Sequence, residues 1–284
     1  MTSLHSRIVV IPVECRKESS RFPLARTILR ELARTEESLR DGDILVVSSK
    51  FVSMAEGRYV ELDDIKPERK ARRLSRLYQI DPRLAQLVME ESEEILGGIP
   101  GFILAVTKGV LAPNAGIDRS NVPPGKAILY PLDPDGSARD LRAKLLRSAN
   151  PRSMRRKNSV LRRLGVILSD SRVTPTRVGT IGVAVGVAGV SPIEDLRGSK
   201  DLFGNELKVT IRAVADQLCS AAELVMGESD DSIPVVIIRG AAPFTSLGES
   251  VQTSSIMKIE ANRCLFVQGL RSPPSREKMS EKYS

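Results

Sequence analysis

The sequence predicts a mixed α/β (α+β) fold in which short apolar strands alternate with amphipathic helices, and three observations carry that prediction. Apolar runs at 44–47 (ILVV) and 166–168 (VIL) have the length and branched side chains of buried strands. The segment 213–226 instead spaces Val214, Leu218, Ala221, Ala222 and Val225 for one face of a helix. Neither GxxxxGK[ST] nor GxGxxG after a strand is present, so the fold is expected to be non-Rossmann and without a P-loop.

In chain order, residues 7–13 form a first strand and 19–40 a helix with Leu24, Ile28, Leu29 and Leu32 inward. After the Asp41-Gly42-Asp43 turn, the strand at 44–47 ends in Ser48-Ser49-Lys50. Lys50 is either a point charge for phosphate or a solvated strand-end lysine. A turn at 55–58 and a short strand precede a basic helix over 67–78. The next helix starts at Asp81-Pro82, an N-cap followed by proline, and closes at Gly97-Gly98. Within it, the acidic run 90–94 reads as a solvated face. Residues 102–106 and 109–111 pattern as a hairpin. The loop 114–121 (NAGIDRSN) offers Asp118 and Asn121, as Asx-turn residues or as a metal carboxylate beside a nucleotide-binding amide. A strand at 127–130 and a turn at 133–136 lead into a helix from about Ser137.

The stretch 164–189 is the organising one. Its strand stops at Ser169-Asp170-Ser171, and a carboxylate closing a buried strand needs a positive partner. Open α/β sheets bind ligands at strand ends, and magnesium or manganese prefers such oxygens; a turn or cap is the alternative for Asp170. Gly179, Gly182, Gly186 and Gly189 then permit close backbone packing. A polar connector at 195–203, a strand at 207–211 and the helix at 213–226, capped by Gly227, follow. Glu228, Asp230 and Asp231 crowd the next loop, and carboxylates so close repel unless cations or protons intervene. They are metal candidates or plain exposed acids, ahead of a buried strand at 235–238. The basic cluster at 150–163 reads as a solvated linker, with a phosphate or RNA contact as the minority reading; the tail 272–284 reads as disordered.

Composition narrows the chemistry. A net charge of +8 favours polyanionic partners. Aromatics at 4%, with no tryptophan, leave no stacking platform for single-stranded nucleic acid, which is not an expected partner. Three cysteines without a CxxC pair argue for a reducing compartment and against a zinc site. No signal-peptide layout and no membrane-length apolar run are present, so a cytoplasmic location without a membrane partner is expected. The single histidine, His5, makes Ser-His-Asp, Cys-His and HExxH chemistry improbable. Carboxylates, hydroxyls, lysines and bound cations must carry any reaction. Polar breaks at 49–50, 118–121, 170–171 and 228–231 each follow an apolar element, and such a set suits a two-cation phosphate site. Composition and spacing stop there, at a magnesium–nucleotide enzyme.

The motifs go further. SSKFVSMAEGR, NAGIDRSN, PLDPDGSA, GVILSDS, IGVAVGVAGV, DLRGSKDLFGNELKVT, VADQLCSAAELVMGE and IPVVIIRG occur in an order that resembles the coenzyme F420-0:gamma-glutamyl ligase family, nearly the whole way to Gly240. The resemblance implies a homodimeric ligase fold with mixed sheets and flanking helices. One domain over 1–271 is expected, with two intertwined lobes as the alternative. The activity it implies is GTP-dependent joining of L-glutamate to the carboxylate of the deazaflavin F420-0 through an acyl phosphate. The implied cofactors are Mg2+ or Mn2+ at two sites, with K+ as an additional candidate.

Carried over residue by residue, Asp118 and Asp170 hold one cation, while Ser171, where the family usually has threonine, serves a second with Glu228. Ser49, Asn121 and the run Met226, Gly227, Glu228, Ser229, Asp230, Asp231, Ser232 and Ile233 surround the nucleotide. Lys50, matching a lysine of the family's TSK or SSK pattern, would stabilise phosphate charge, and Asp118, Asp170 and Lys50 form the implied catalytic set. The chain departs from the family in three motifs and in a longer basic linker before Gly165. SKAEG reads Ser53-Met54-Ala55-Glu56-Gly57, an early Gly-[Leu/Ile]-Pro is replaced by Cys15-Arg16-Lys17, and SDT-x-GRP-x-R becomes SDSRVTPTR, keeping Pro175 and Arg177. These leave open a paralogue that ligates a different amine or acid.

Overall fold

The longest apolar runs pair with one another at the centre of the molecule. The computed structural model describes residues 7–18, 20–149, 161–245 and 253–271; His5, the basic cluster up to residue 160 and the tail 272–284 lie outside the described residues. In chain order the elements are β1 (Val9–Val13), α1 (Leu24–Arg34), β2 (Asp43–Ser48), α2 (Ser49–Glu56), β3 (Tyr59–Glu61), α3 (Arg69–Tyr78) and α4 (Pro82–Glu91). Then come β4 (Glu94–Ile99), β5 (Phe102–Thr107), β6 (Val110–Pro113), β7 (Lys126–Ile128), α5 (Pro134–Ala149), β8 (Leu164–Val173) and β9 (Thr180–Ala188). The chain continues through β10 (Glu194–Asp195), β11 (Ile211–Arg212), α6 (Val214–Met226), β12 (Val235–Arg239) and α7 (Leu265–Arg271).

A five-stranded sheet has the order β1-β12-β2-β8-β9. β2 and β8 run parallel and the other neighbours antiparallel, so the sheet is mixed. Both faces are covered, which is why β2, β8 and β12 are apolar at consecutive positions rather than alternate ones. Leu45, Val47, Leu164, Val166 and Leu168 pack with Ile28 and Leu32 of α1, Phe51 of α2 and Leu141 of α5. Ile44, Val46, Ile167 and Val236 turn the other way, onto Val214, Leu218 and Ala222 of α6. A further apolar cluster gathers Leu84, Leu87 and Val88 of α4 with Ile103, Ala105, Ala127 and Leu129. The fold is mixed α+β with flanking helices. No helix among the described residues is long and apolar enough to cross a membrane.

Several elements differ from expectation for local reasons. α1 begins at Leu24 because Pro23 disfavours helical backbone at the residue before it. α4 has its Asp81 cap, whose carboxylate accepts from Arg83 N at 2.8 Å, but it ends at Glu91. Gly97 and Gly98 belong to β4 instead, where a Cβ on Gly98 would stand 2.3 Å from the Phe102 carbonyl. The strand expected at 207–211 shrinks to Ile211–Arg212, paired with Glu194–Asp195. Most consequential, the polar residues at 169–171 do not end their strand: β8 runs on to Val173 with β9 still paired beside it.

Candidate active site

The polar end of β8 begins at a register shift between Leu168 and Ser169. The Ala184 N–H beside it goes to Asp216 Oδ1 of α6 at 2.9 Å. Beyond the shift, strand alternation sorts the side chains onto two faces. Ser169 and Ser171 donate to the Glu223 carboxylate on α6, each at 3.0 Å. Asp170 and Arg172 turn the opposite way. Ser49 Oγ donates to Asp170 Oδ1 at 3.1 Å, the Tyr130 hydroxyl donates to Oδ2, and Arg172 Nη1 lies 3.1 Å from Oδ2. Ser49 is there because β2 pairs with β8 as far as Ser48–Ser169, and α2 starts at the next residue.

Lys50 then faces the loop after β6. It forms an ion pair with Asp118 and donates to Ser120 Oγ at 2.9 Å. Asp118 also accepts from Ser120 N at 2.6 Å, so it is an Asx-type turn residue and the partner of Lys50 together. Asn121, at φ 53°, donates from Nδ2 to the Ser229 carbonyl at 2.8 Å and ties this loop to the one after α6. That second loop follows Gly227, at φ 71°, where a Cβ would stand 2.0 Å from Asp231 Oδ2. Asp231 accepts from Ser229 Oγ at 3.1 Å, and Glu228 Oε1 accepts from Thr180 Oγ1 at 2.7 Å.

Apart from Asp216, these side chains line one cleft of about 870 Å3. Ser49, Lys50, Asp118, Asn121, Asp170, Ser171 and the whole run 226–233, each singled out in the sequence, are brought together there. Two placements differ from expectation. Asp170 lies within a strand rather than closing one, and Ser171 points to the other face of β8, bonded to Glu223. Tyr130, Arg172 and Glu223 line the same cleft without having been anticipated. The two-residue spacing of Arg172 from Asp170 was a readable signal, once that segment is taken as strand. Glu223 was hidden in the polar face of a helix, and Tyr130 has no local sequence signal.

The two central carboxylates are displaced in opposite directions. Burial raises Asp170 up to about 7, with Glu223 and Asp118 adding to it; the Ser49 hydrogen bond and the Lys50 charge oppose. The Arg172 guanidinium beside it also favours the ionised form. Burial works against ionised Asp118 too, but Lys50 and Ser120 outweigh it and hold that carboxyl below its usual range. Glu223 is raised by burial and by nearby Glu228. Burial pushes the Cys15 thiol, also on the cleft wall, up to about 12, which removes it as a nucleophile.

Among the described residues, no three His, Cys, Asp or Glu side chains converge as a pre-formed metal cluster. The donors on offer are carboxylate and hydroxyl oxygens, the chemistry that suits Mg2+ or Mn2+. The raised values of Asp170 and Glu223 mark negative charge that a cation would offset.

A sequence model described as F420-0:Gamma-glutamyl ligase matches residues 19–240, which include every cleft residue named above except Cys15. The chain is 42% identical over 227 residues to the coenzyme F420:L-glutamate ligase of Methanopyrus kandleri, covering 78% of this chain and 86% of that one. It is 44% identical over 218 residues to the enzyme of the same name from Methanothermobacter thermautotrophicus, covering 76% and 82%. For that of Archaeoglobus fulgidus the identity is 39% over 236 residues, covering 82% and 88%.

Proposed function

Since the chain belongs to the F420-0:gamma-glutamyl ligase family, we propose that it joins L-glutamate to the carboxylate of coenzyme F420-0 as an amide, with GTP as the phosphoryl donor. The γ-phosphoryl group passes to the acceptor carboxylate, giving an acyl phosphate and GDP. The glutamate amine then attacks the acyl carbon, phosphate leaves with the C–O bond electrons, and the amine loses a proton. The observation that supports this reading is the convergence, in one cleft, of polar segments from four distant parts of the chain.

Lys50, held by Asp118 and Ser120, presents an ammonium to phosphate oxygens. Asn121 and the loop 226–233, already joined through Ser229, surround the nucleotide. Asp118 and Asp170 would hold one divalent cation, and Ser171 with Glu228 a second; Mg2+ or Mn2+ there would polarise phosphoryl oxygens and offset their charge. Glu223 holds Ser171 through its hydroxyl. Homodimerisation and a cytoplasmic location belong to the same reading.

Purified protein incubated with GTP, L-glutamate, F420-0 and Mn2+ tests it: a mass gain of glutamyl units on F420-0, with GDP formed, is the expected result. Tight GTP binding with no glutamyl product would instead support a paralogue with another acceptor. Met54 and Val173, both on the cleft wall where the chain departs from the family pattern, favour that second reading.

A further inference from the structure

Arg172 is the buried cation of the cleft that the reaction above does not use. It follows Asp170 by two residues on β8, so the two side chains share a face of the strand, and it is 6% exposed. Its Nη1 lies 3.1 Å from Asp170 Oδ2, and its Nη2 donates to the Tyr130 hydroxyl. The guanidinium carbon stands 5.2 Å from the centre of the Tyr130 ring. The Nε–H is buried as well and has no hydrogen-bond partner, although the side chain lines the cleft.

Asp170 needs a counter-charge, and Nη1 supplies it; Nε is left unexplained by that role. A buried donor without an acceptor is unfavourable until a ligand supplies one. With both Nη groups engaged, the guanidinium plane is fixed, and its buried, unpartnered Nε–H is left for a carboxylate or phosphate oxygen that displaces the cover over it. Against the pattern SDT-x-GRP-x-R, this chain carries arginine at 172 and threonine at 174, so the charge is placed differently on the strand.

We propose that Arg172 is a specificity-determining residue whose Nε binds an oxyanion of a substrate, either a carboxylate or a phosphoryl oxygen. This rests on the ligase reading for its choice of substrates, since L-glutamate, F420-0 and GTP all carry such oxygens. Calorimetric titration of each of the three into wild type and Arg172→Gln reads the site without turnover. The expected result is a loss of about tenfold or more in affinity for one of them, with Mn2+ affinity not lowered. The substrate affected identifies the source of the oxyanion. Arg172→Lys keeps the charge without the fork and is expected to restore part of the affinity; it also serves if Arg172→Gln fails to fold. Equal affinities in wild type and variant for all three substrates overturn the proposal. So does an equal fall in Mn2+ affinity, because Arg172 would then only hold Asp170 in place. A wild type that binds these ligands yet forms no glutamyl product rejects the ligase reading, while the comparison of Arg172 variants still decides this one.

Discussion

The cleft has two walls of different construction. Asp170, Arg172 and Ser171 stand on β8, where sheet register and packing on both faces determine where each side chain goes. The opposite wall, residues 227–232, is exposed and is organised by turn contacts such as Ser229 to Asp231 and by ties to Asn121, Thr180 and the Cys15 N–H. Sheet placement removes a carboxylate from water and so raises Asp170. The sheet wall is thus suited to chemistry that depends on fixed geometry, and the loop wall to holding a ligand that arrives and leaves.

That contrast is sharpened first by Asp170→Asn. It keeps an acceptor for Ser49 and Tyr130 but removes the charge, so turnover is expected to fall at least about 10³-fold with the fold intact, checked by steady-state rates and circular dichroism. Lys50→Met, next to the sheet wall, is expected to lower kcat by about 10²-fold through lost phosphate stabilisation. On the loop wall, Asp231→Asn is expected to raise KM for GTP by about tenfold with kcat within about twofold, since it loosens a turn rather than the reacting centre. A larger effect on kcat than on KM in Asp231→Asn would break the distinction.

A separate effect is on stability. Asp170 binds protons more readily folded than unfolded between its ordinary value of 3.8 and about 7. Its contribution to stability is therefore present at low pH and lost as pH rises through that window. In cation-free buffer, the thermal midpoint of wild type relative to Asp170→Asn should decline from about pH 4 to about pH 7 in differential scanning calorimetry. A pH-independent difference would contradict the burial of Asp170 as its cause.

The two walls also differ in how legible they were. Each polar break that follows an apolar run is visible in sequence, because the switch from strand composition to oxygen-bearing side chains is abrupt; Ser49-Lys50, Asp118 and Asp170-Ser171 are all of this kind. What the run does at that break is not visible. Continuous pairing with β9 carries β8 through its polar residues, and only that fact puts Asp170 beside Arg172 and Ser171 beside Glu223. Glu223 and Tyr130 reach the cleft through contacts with partners 40 or more residues away, which no local pattern encodes. The start of α1 at Leu24 was legible in Pro23 but overridden by the amphipathic pattern, while the end of α4 at Glu91 was obscured because the acidic residues after it continue the polar face without a capping signal.

The most direct test is a Mn2+ titration followed by electron paramagnetic resonance, comparing wild type, Asp170→Asn and Asp231→Asn. If Asp170 of the sheet wall anchors a cation and Asp231 of the loop wall does not, wild type and Asp231→Asn bind Mn2+ alike and Asp170→Asn binds it at least about tenfold more weakly. Equal binding by all three proteins would contradict the account.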